Sequence, residues 1–79
     1  MAAIIRDLES AVLTRDIPES GLATGDVGTV VHSYTPDHWL IEFVDGGGDT
    51  VAVLELTDRD VRPLGPGDLR HARRLGSPR

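Results

Sequence analysis

The stretch Gly21–Val31 constrains the fold more than any other part of this sequence. Its glycines, Gly25 and Gly28 among them, allow the backbone to turn or to pass close to a neighbouring segment. Several of the later residues are β-branched: Val27, Thr29, Val30 and Val31. β-Branched side chains are stiff and fit a pleated surface. The stretch therefore predicts a loop that tightens into a turn and then begins a β-strand.

The chain has 79 residues, which is enough for one small domain. It has no cysteine, so disulfides and thiolate zinc sites are excluded, and its few aromatics imply a core of mostly Val, Ile and Leu. No apolar run approaches the roughly 20 residues of a membrane span, and Arg6 interrupts the start too early for a secretory signal. The sequence predicts a soluble cytoplasmic protein that does not enter a membrane.

The charges are unevenly distributed along the chain. Residues 1–67 carry four arginines against twelve acids, a net charge of −8, whereas residues 68–79 carry four arginines against one acid, a net charge of +3. An acidic body repels nucleic-acid phosphates and favours basic partners.

The chain divides into a lead-in over 1–7, a domain over 8–64 and a tail over 65–79. Alternating and β-branched residues predict five strands in the domain: 8–14, 26–34, 39–45, 50–57 and 61–64. In the second of these, strict alternation puts His32 and Tyr34 on the same face as Gly28 and Val30. In the third, Trp39, Ile41 and Phe43 share a face.

Four connections join these strands: an irregular loop over 15–24, a turn over 35–38, a mobile glycine-rich hairpin over 45–49, and one helical turn over 57–60. Thr57 is expected to cap the helical turn. Pro63 cannot donate to a ladder, so the fifth strand is expected at an edge. The fold class predicted is all-β: a small five-stranded SH3-like barrel, since closure removes open edges, with a flexible basic C-terminal tail.

Several motifs follow one another in a recognisable order: Gly-Asp-Val-Gly-Thr-Val-Val at 25–31, Ile-Glu-Phe-Val-Asp at 41–45, and Leu-Thr-Asp-Arg-Asp-Val-Arg-Pro-Leu at 56–64. This order resembles a family of small bacterial proteins classed as a domain of unknown function, whose members are single SH3-like domains. The resemblance implies an accessory protein of the antitoxin or immunity type, and it carries no catalytic residue. The first motif is also similar to SH3-like domains of ribosomal and transcription-elongation proteins, which often bind RNA or protein.

Two groups in the domain are candidates for binding a partner. The first is an acidic rim on two loops: Asp16, Glu19, Asp26, Asp45 and Asp49. It would attract a basic protein surface, or it would only keep the loops solvated. The second is an aromatic patch of Tyr34 and Trp39 around Pro36. It would recognise a peptide, or its members would pack in the core and the turn.

The tail offers Arg70, Arg73 and Arg74, which would contact nucleic acid or an acidic partner, or would form a disordered terminus. The three histidines have no ligand spacing, so we expect surface residues and no metal site: His32, His38 and His71. No nucleophile has a triad context, and Gly46–Gly48 lacks the Lys that follows a phosphate loop. We therefore expect neither catalysis nor a cofactor.

Three hypotheses remain open from the sequence. The first is a non-catalytic module whose acidic barrel binds and restrains a basic partner protein, encoded by a neighbouring gene. The second is a nucleic-acid-binding accessory domain that uses the arginine-rich tail. The third is a homo-oligomeric structural protein that pairs its edge strands.

Overall fold

A computed structural model describes residue 5 and residues 8–65, and it contains five β-strands with one turn of 3-10 helix. The elements are β1 (Ser10–Leu13), the 3-10 turn (Pro18–Ser20), β2 (Val27–Thr35), β3 (His38–Val44), β4 (Thr50–Thr57) and β5 (Val61–Pro63). All pairings are antiparallel, and the strands form one sheet in the order β4-β3-β2-β1-β5. The all-β prediction is confirmed.

The loop between β1 and β2 is more ordered than its Pro, Gly and Ser content suggests. Ile17 and Leu22 form an isolated antiparallel bridge around the 3-10 turn, and both side chains are buried in the core. Gly21 closes the turn with a φ of 72°, a left-handed conformation that glycine adopts without strain. The loop predicted over 15–24 is present, but it contains a 3-10 turn and a bridge, and two apolar residues attach it to the core.

The core lies on one face of the sheet and is built mainly by β1 and β3. Trp39, Ile41 and Phe43 are fully buried, as the alternation of β3 predicted. On β4, Leu56 is buried, and two partly buried residues pack against the same cluster: Ala52 and Leu54. The remaining side chains of β3 and β4 point away from this core.

The sheet is strongly curved, and the short connection between β4 and β5 shows why. The Asp58 N–H donates to the carbonyl of Asp37, just beyond the end of β2, over 3.3 Å. Two residues later, the carbonyl of Asp60 accepts from the Thr14 N–H over 2.7 Å, beside the start of β2. In a flat sheet the two ends of β2 would lie roughly 26 Å apart, at about 3.3 Å per residue. The sheet must therefore curl so that both ends approach one turn.

Strand β2 takes up this curvature through irregular pairing with β3. Its register shifts between Val30 and His32, and again between Ser33 and Thr35. Such bulges bend a strand and increase its twist. The sheet is thus curled in the way that a barrel requires, while complete closure into an SH3-like barrel stays a prediction.

Two turns of similar construction hold the end of β1. Each turn is closed by two hydrogen bonds between an aspartate and the residue three positions before it. The aspartate N–H donates to the carbonyl of the earlier residue, and the N–H of the earlier residue donates to the aspartate carboxylate. The two pairs are Ala23 with Asp26, and Thr57 with Asp60. The carbonyl of Asp26 accepts from the Leu13 amide, and the carbonyl of Asp60 accepts from the next amide, that of Thr14. Both turns lead directly into a strand that pairs with β1.

The second of these turns corresponds to the helical turn predicted over 57–60. Thr57 caps it as expected, since its hydroxyl accepts from the Arg59 N–H over 3.3 Å. The turn does not continue into a helix, because its last residue enters β5 at once. Arg15 adds a 2.6 Å ion pair from Nε to Oδ1 of Asp60.

Gly28 marks the place where β2 passes closest to the core of β3. A Cβ added there would lie 2.6 Å from Cγ2 of Ile41 and 2.8 Å from the ring of Phe43. Real side chains do not approach so closely, and both neighbours are fully buried, so they cannot move aside cheaply.

We predict that Gly28→Ala destabilises the fold by about 1–3 kcal/mol, the usual cost of overpacking a core. The matched control is Gly47→Ala, where an added Cβ meets only Oδ1 of Asp45 at 3.4 Å. Urea unfolding followed by circular dichroism measures both free energies of unfolding. Equal midpoints for the two variants would contradict the close approach.

The Arg15–Asp60 ion pair makes the stability of the fold depend on pH. Partial burial would raise the pKa of the Asp60 carboxyl, but the hydrogen bond from Arg15, the bonds from Thr57 and the Arg15 charge together lower it below its ordinary value. A carboxyl whose pKa is lower in the folded state stabilises the fold above its unfolded pKa. That contribution is lost as the pH falls through the folded pKa.

We therefore predict that Arg15→Gln lowers the free energy of unfolding at pH 7 only slightly, because Arg15 is half exposed and an exposed ion pair contributes little. The difference from the unaltered protein should shrink as the pH falls below about 4, where the unfolded-state carboxyl becomes protonated. Urea titrations at pH 7, 5 and 3 measure it. A difference that stays constant over this range would show that Asp60 does not carry the effect.

Candidate protein-interaction surface

The outward side chains of β2, β3 and β4 form a continuous surface, called here the outer face. On β3 these side chains alternate with the buried ones and include Leu40, Glu42 and Val44. The register places Glu42 opposite Val53 and Leu40 opposite Glu55 on β4. The outer face therefore carries aliphatic and acidic groups side by side.

Aliphatic side chains are exposed where β3 meets β4. Val44, Val51 and Val53 are 42%, 43% and 47% exposed, and they flank the hairpin loop on both sides. An exposed apolar patch bordered by charge is a common property of protein-binding surfaces. Single exposed valines need no explanation, but these lie on two paired strands.

Acidic residues lie on the β1–β2 loop and on the β3–β4 loop. Thr29 near the start of β2 pairs with Glu42 near the end of β3, so the two loops adjoin neighbouring strand ends. We call four residues of these loops the acidic end: Asp16, Glu19, Asp45 and Asp49. These four residues are the part of the acidic rim suggested by the sequence that lies on the two loops and is not buried.

Some of these carboxylates also hold their own loops together. Oδ1 of Asp16 accepts from the amide and the hydroxyl of Thr24, at 2.8 and 2.9 Å. Oδ1 of Asp45 accepts from the amides of Gly47 and Asp49, at 2.9 and 3.0 Å, and so closes the glycine-rich hairpin. Both charges are thereby held in place at the end of the sheet.

Two of the proposed binding residues are not on the surface. Asp26 is fully buried, and its carboxylate accepts a hydrogen bond from the Ala23 amide in the turn before β2. Trp39 is also fully buried, and its indole N–H donates to the carbonyl of Ile5 over 3.2 Å. Their assignment to a partner surface was wrong, since both face the interior and serve the fold.

The aromatic group on the surface has a different composition from the patch that the sequence suggested. The ring centroid of Tyr34 lies 4.8 Å from that of His32, in an edge-to-face arrangement, and 4.9 Å from that of His38. We call these three residues the ring cluster. Nε2 of His38 lies 3.2 Å from Oε1 of Glu55, so a carboxylate borders the rings.

Sequence reasoning missed this cluster because it assumed strict alternation along β2. The bulge after Val30 reverses the alternation: Val30 is buried, whereas His32 and Tyr34 are exposed. His38 was placed in a turn but is the first residue of β3, paired with Thr35. The signal that could have found the cluster is the spacing of His32 and Tyr34, which share a face of β2, with His38 just across the hairpin on β3.

Other features of the described residues lie apart from the outer face. A pocket of about 240 Å³ is lined by Ile5, Glu9, Ser10, Pro63 and Leu64. Within residue 5 and residues 8–65, no group of three or more His, Asp or Glu side chains is arranged to hold a metal. No helix in this part of the chain is long and apolar enough to cross a membrane. The arginines proposed for the tail, and His71, lie outside the described residues: Arg70, Arg73 and Arg74.

The fold and surface define a small all-β protein with one curled antiparallel sheet and an acidic outer face. A family model, described as a domain of unknown function (DUF4926), matches residues 8–63, which is more than half of the chain. The chain belongs to that family. Comparison with curated proteins and with solved structures finds no match.

The burial of Trp39 generates a direct spectroscopic prediction, since it is the one tryptophan of the chain. Its fluorescence should be shifted to the blue and shielded from iodide, because the indole is surrounded by apolar groups. The same protein in urea is the control and should show red-shifted, quenchable emission. Strong quenching by iodide in the native state would show that Trp39 is exposed to solvent and would contradict its burial.

Proposed function

We propose that this protein is a non-catalytic interaction module of SH3-like architecture that binds a basic partner protein. Its role would be that of an antitoxin or immunity protein that restrains a small effector enzyme encoded by a neighbouring gene. The binding surface would be the outer face, together with the acidic end.

The observation that carries the proposal is the charge of the folded domain. Residues 8–65 hold eleven acids and three arginines, a net charge of −8. One of those arginines, Arg15, is already paired with Asp60. A surface of one sign attracts partners of the other sign and accelerates their association.

The exposed valines give the same surface an apolar centre. Val44 and Val51 directly border the loop that carries Asp45 and Asp49. Apolar groups surrounded by charge match the usual arrangement of a protein interface, in which the centre excludes water and the rim sets specificity. This supports a protein partner over nucleic acid, whose phosphates the described domain would repel.

We predict that Asp49→Lys weakens binding to the product of a neighbouring gene by about tenfold at low salt, because an exposed interface charge is reversed. The effect should decrease as salt is added, since salt screens exposed charges. The matched control is Glu9→Lys, which makes the same charge change beside the pocket, apart from the outer face. That variant should alter the affinity by about twofold or less.

The measurement is co-expression with each neighbouring gene, followed by calorimetry of the purified pair at several salt concentrations. A 1:1 complex that discriminates between the two variants supports the proposal. The proposal fails if no neighbouring product binds, or if both variants weaken binding equally. It also fails if the protein binds RNA or DNA in a mobility shift and no protein.

A further inference from the structure

The ring cluster is an unusual use of aromatic residues in this chain. The chain has one Tyr, one Trp and one Phe, and the Trp and Phe are fully buried. Tyr34 is 46% exposed, and the centroid of its ring lies less than 5 Å from the centroid of each imidazole. These rings support one another on the surface and leave part of their area open to a ligand.

The carboxylate beside the rings decides which ligand chemistry fits. Glu55 is 62% exposed at its side chain, and one of its oxygens lies against His38. Aromatic faces attract cations through the electrostatics of the ring, and a nearby carboxylate adds a charge partner. A neutral apolar ligand would gain nothing from Glu55.

Among cations, the guanidinium of arginine suits this arrangement best. It is planar, so it can stack on a ring while its N–H groups bond a carboxylate, and it is more weakly hydrated than an ammonium. The ring cluster spans β2 and β3, and Glu55 follows on β4. The two halves of the site are therefore held on neighbouring paired strands.

We propose that the ring cluster and Glu55 bind an arginine side chain, with the guanidinium stacked on the rings and hydrogen-bonded to Glu55. This inference rests on the proposed function, because the arginine would belong to the basic partner protein. It adds a specific recognition site to an otherwise general electrostatic attraction.

The probe is the capped peptide acetyl-Gly-Arg-Gly-amide, titrated into the ¹⁵N-labelled protein and followed by NMR. We expect saturable shifts centred on Tyr34, His38 and Glu55, with a dissociation constant on the order of 30 mM, as for one exposed cation–π contact with a charge partner. The same peptide with citrulline in place of arginine keeps the shape without the charge and should not bind. A lysine peptide should bind at least about threefold more weakly.

Variants distinguish binding at this site from general attraction to the acidic surface. Glu55→Gln and Tyr34→Leu should each weaken binding at least about fivefold, since each removes one half of the site. The matched control is Glu42→Gln, which neutralises another outward carboxylate, one that already accepts from the Thr50 hydroxyl. It should change the dissociation constant by about twofold or less.

The inference is overturned if the citrulline peptide binds equally well, if a proline-rich peptide binds better than the arginine peptide, or if the shifts map to Asp45 and Asp49. It is also overturned if a neighbouring-gene partner binds Tyr34→Leu normally while losing affinity for Asp49→Lys. That last pair of results would leave the interaction function itself standing. Loss of binding by both variants supports the two proposals together.

Discussion

The short connection between β4 and β5 is the constraint on which the rest of the sheet depends. These strands lie at opposite edges of the sheet, yet only residues 58–60 join them. A flat sheet of this order would separate its edges by roughly 19 Å, at about 4.8 Å per strand. The link from Thr57 to Val61 can span at most about 14 Å. The chain can therefore satisfy its own connectivity only by curling the sheet.

Curling gives the sheet a concave side and a convex side, which carry different kinds of residues. The concave side receives the large apolar groups, and Gly28 is needed there because no side chain fits between β2 and Phe43. The convex side carries the exposed valines, the ring cluster and the carboxylates of Glu42 and Glu55. The bulges that bend β2 also turn His32 and Tyr34 outward. The same local irregularity therefore shapes the core and creates the ring cluster.

Several acidic residues stabilise turns of the fold. Asp26 and Asp60 fasten the two turns that hold the end of β1, and Asp45 closes the β3–β4 hairpin. A carboxylate has two oxygens and can accept several amide donors, which suits it to tight turns. A high acidic content is thus no direct measure of an acidic binding surface. Only the exposed carboxylates are candidates for meeting a basic partner.

Much of the fold follows from patterns that the sequence carries locally. The alternation of β3 is strict, so Trp39, Ile41 and Phe43 were correctly placed on one face, and Pro63 correctly marked an edge strand. The surface was harder to predict, because burial of a polar residue depends on contacts from distant segments. Nothing local distinguishes Asp26, which is buried, from Asp16, which is exposed. A bulge in β2 is equally invisible to an argument from alternation, since it arises from the curvature of the whole sheet.

The most direct test of this account is a ¹⁵N-edited nuclear Overhauser spectrum of the protein. The turn over 57–60 should show contacts at both of its ends in the same sample: from the Asp58 amide to Asp37, and from the Thr14 amide to Asp60. Both amides donate across these junctions, at 3.3 and 2.7 Å. Observing both contacts would establish that one turn joins the two ends of β2. Finding either contact absent would mean that the sheet is open, and the separation into inner and outer faces would no longer hold.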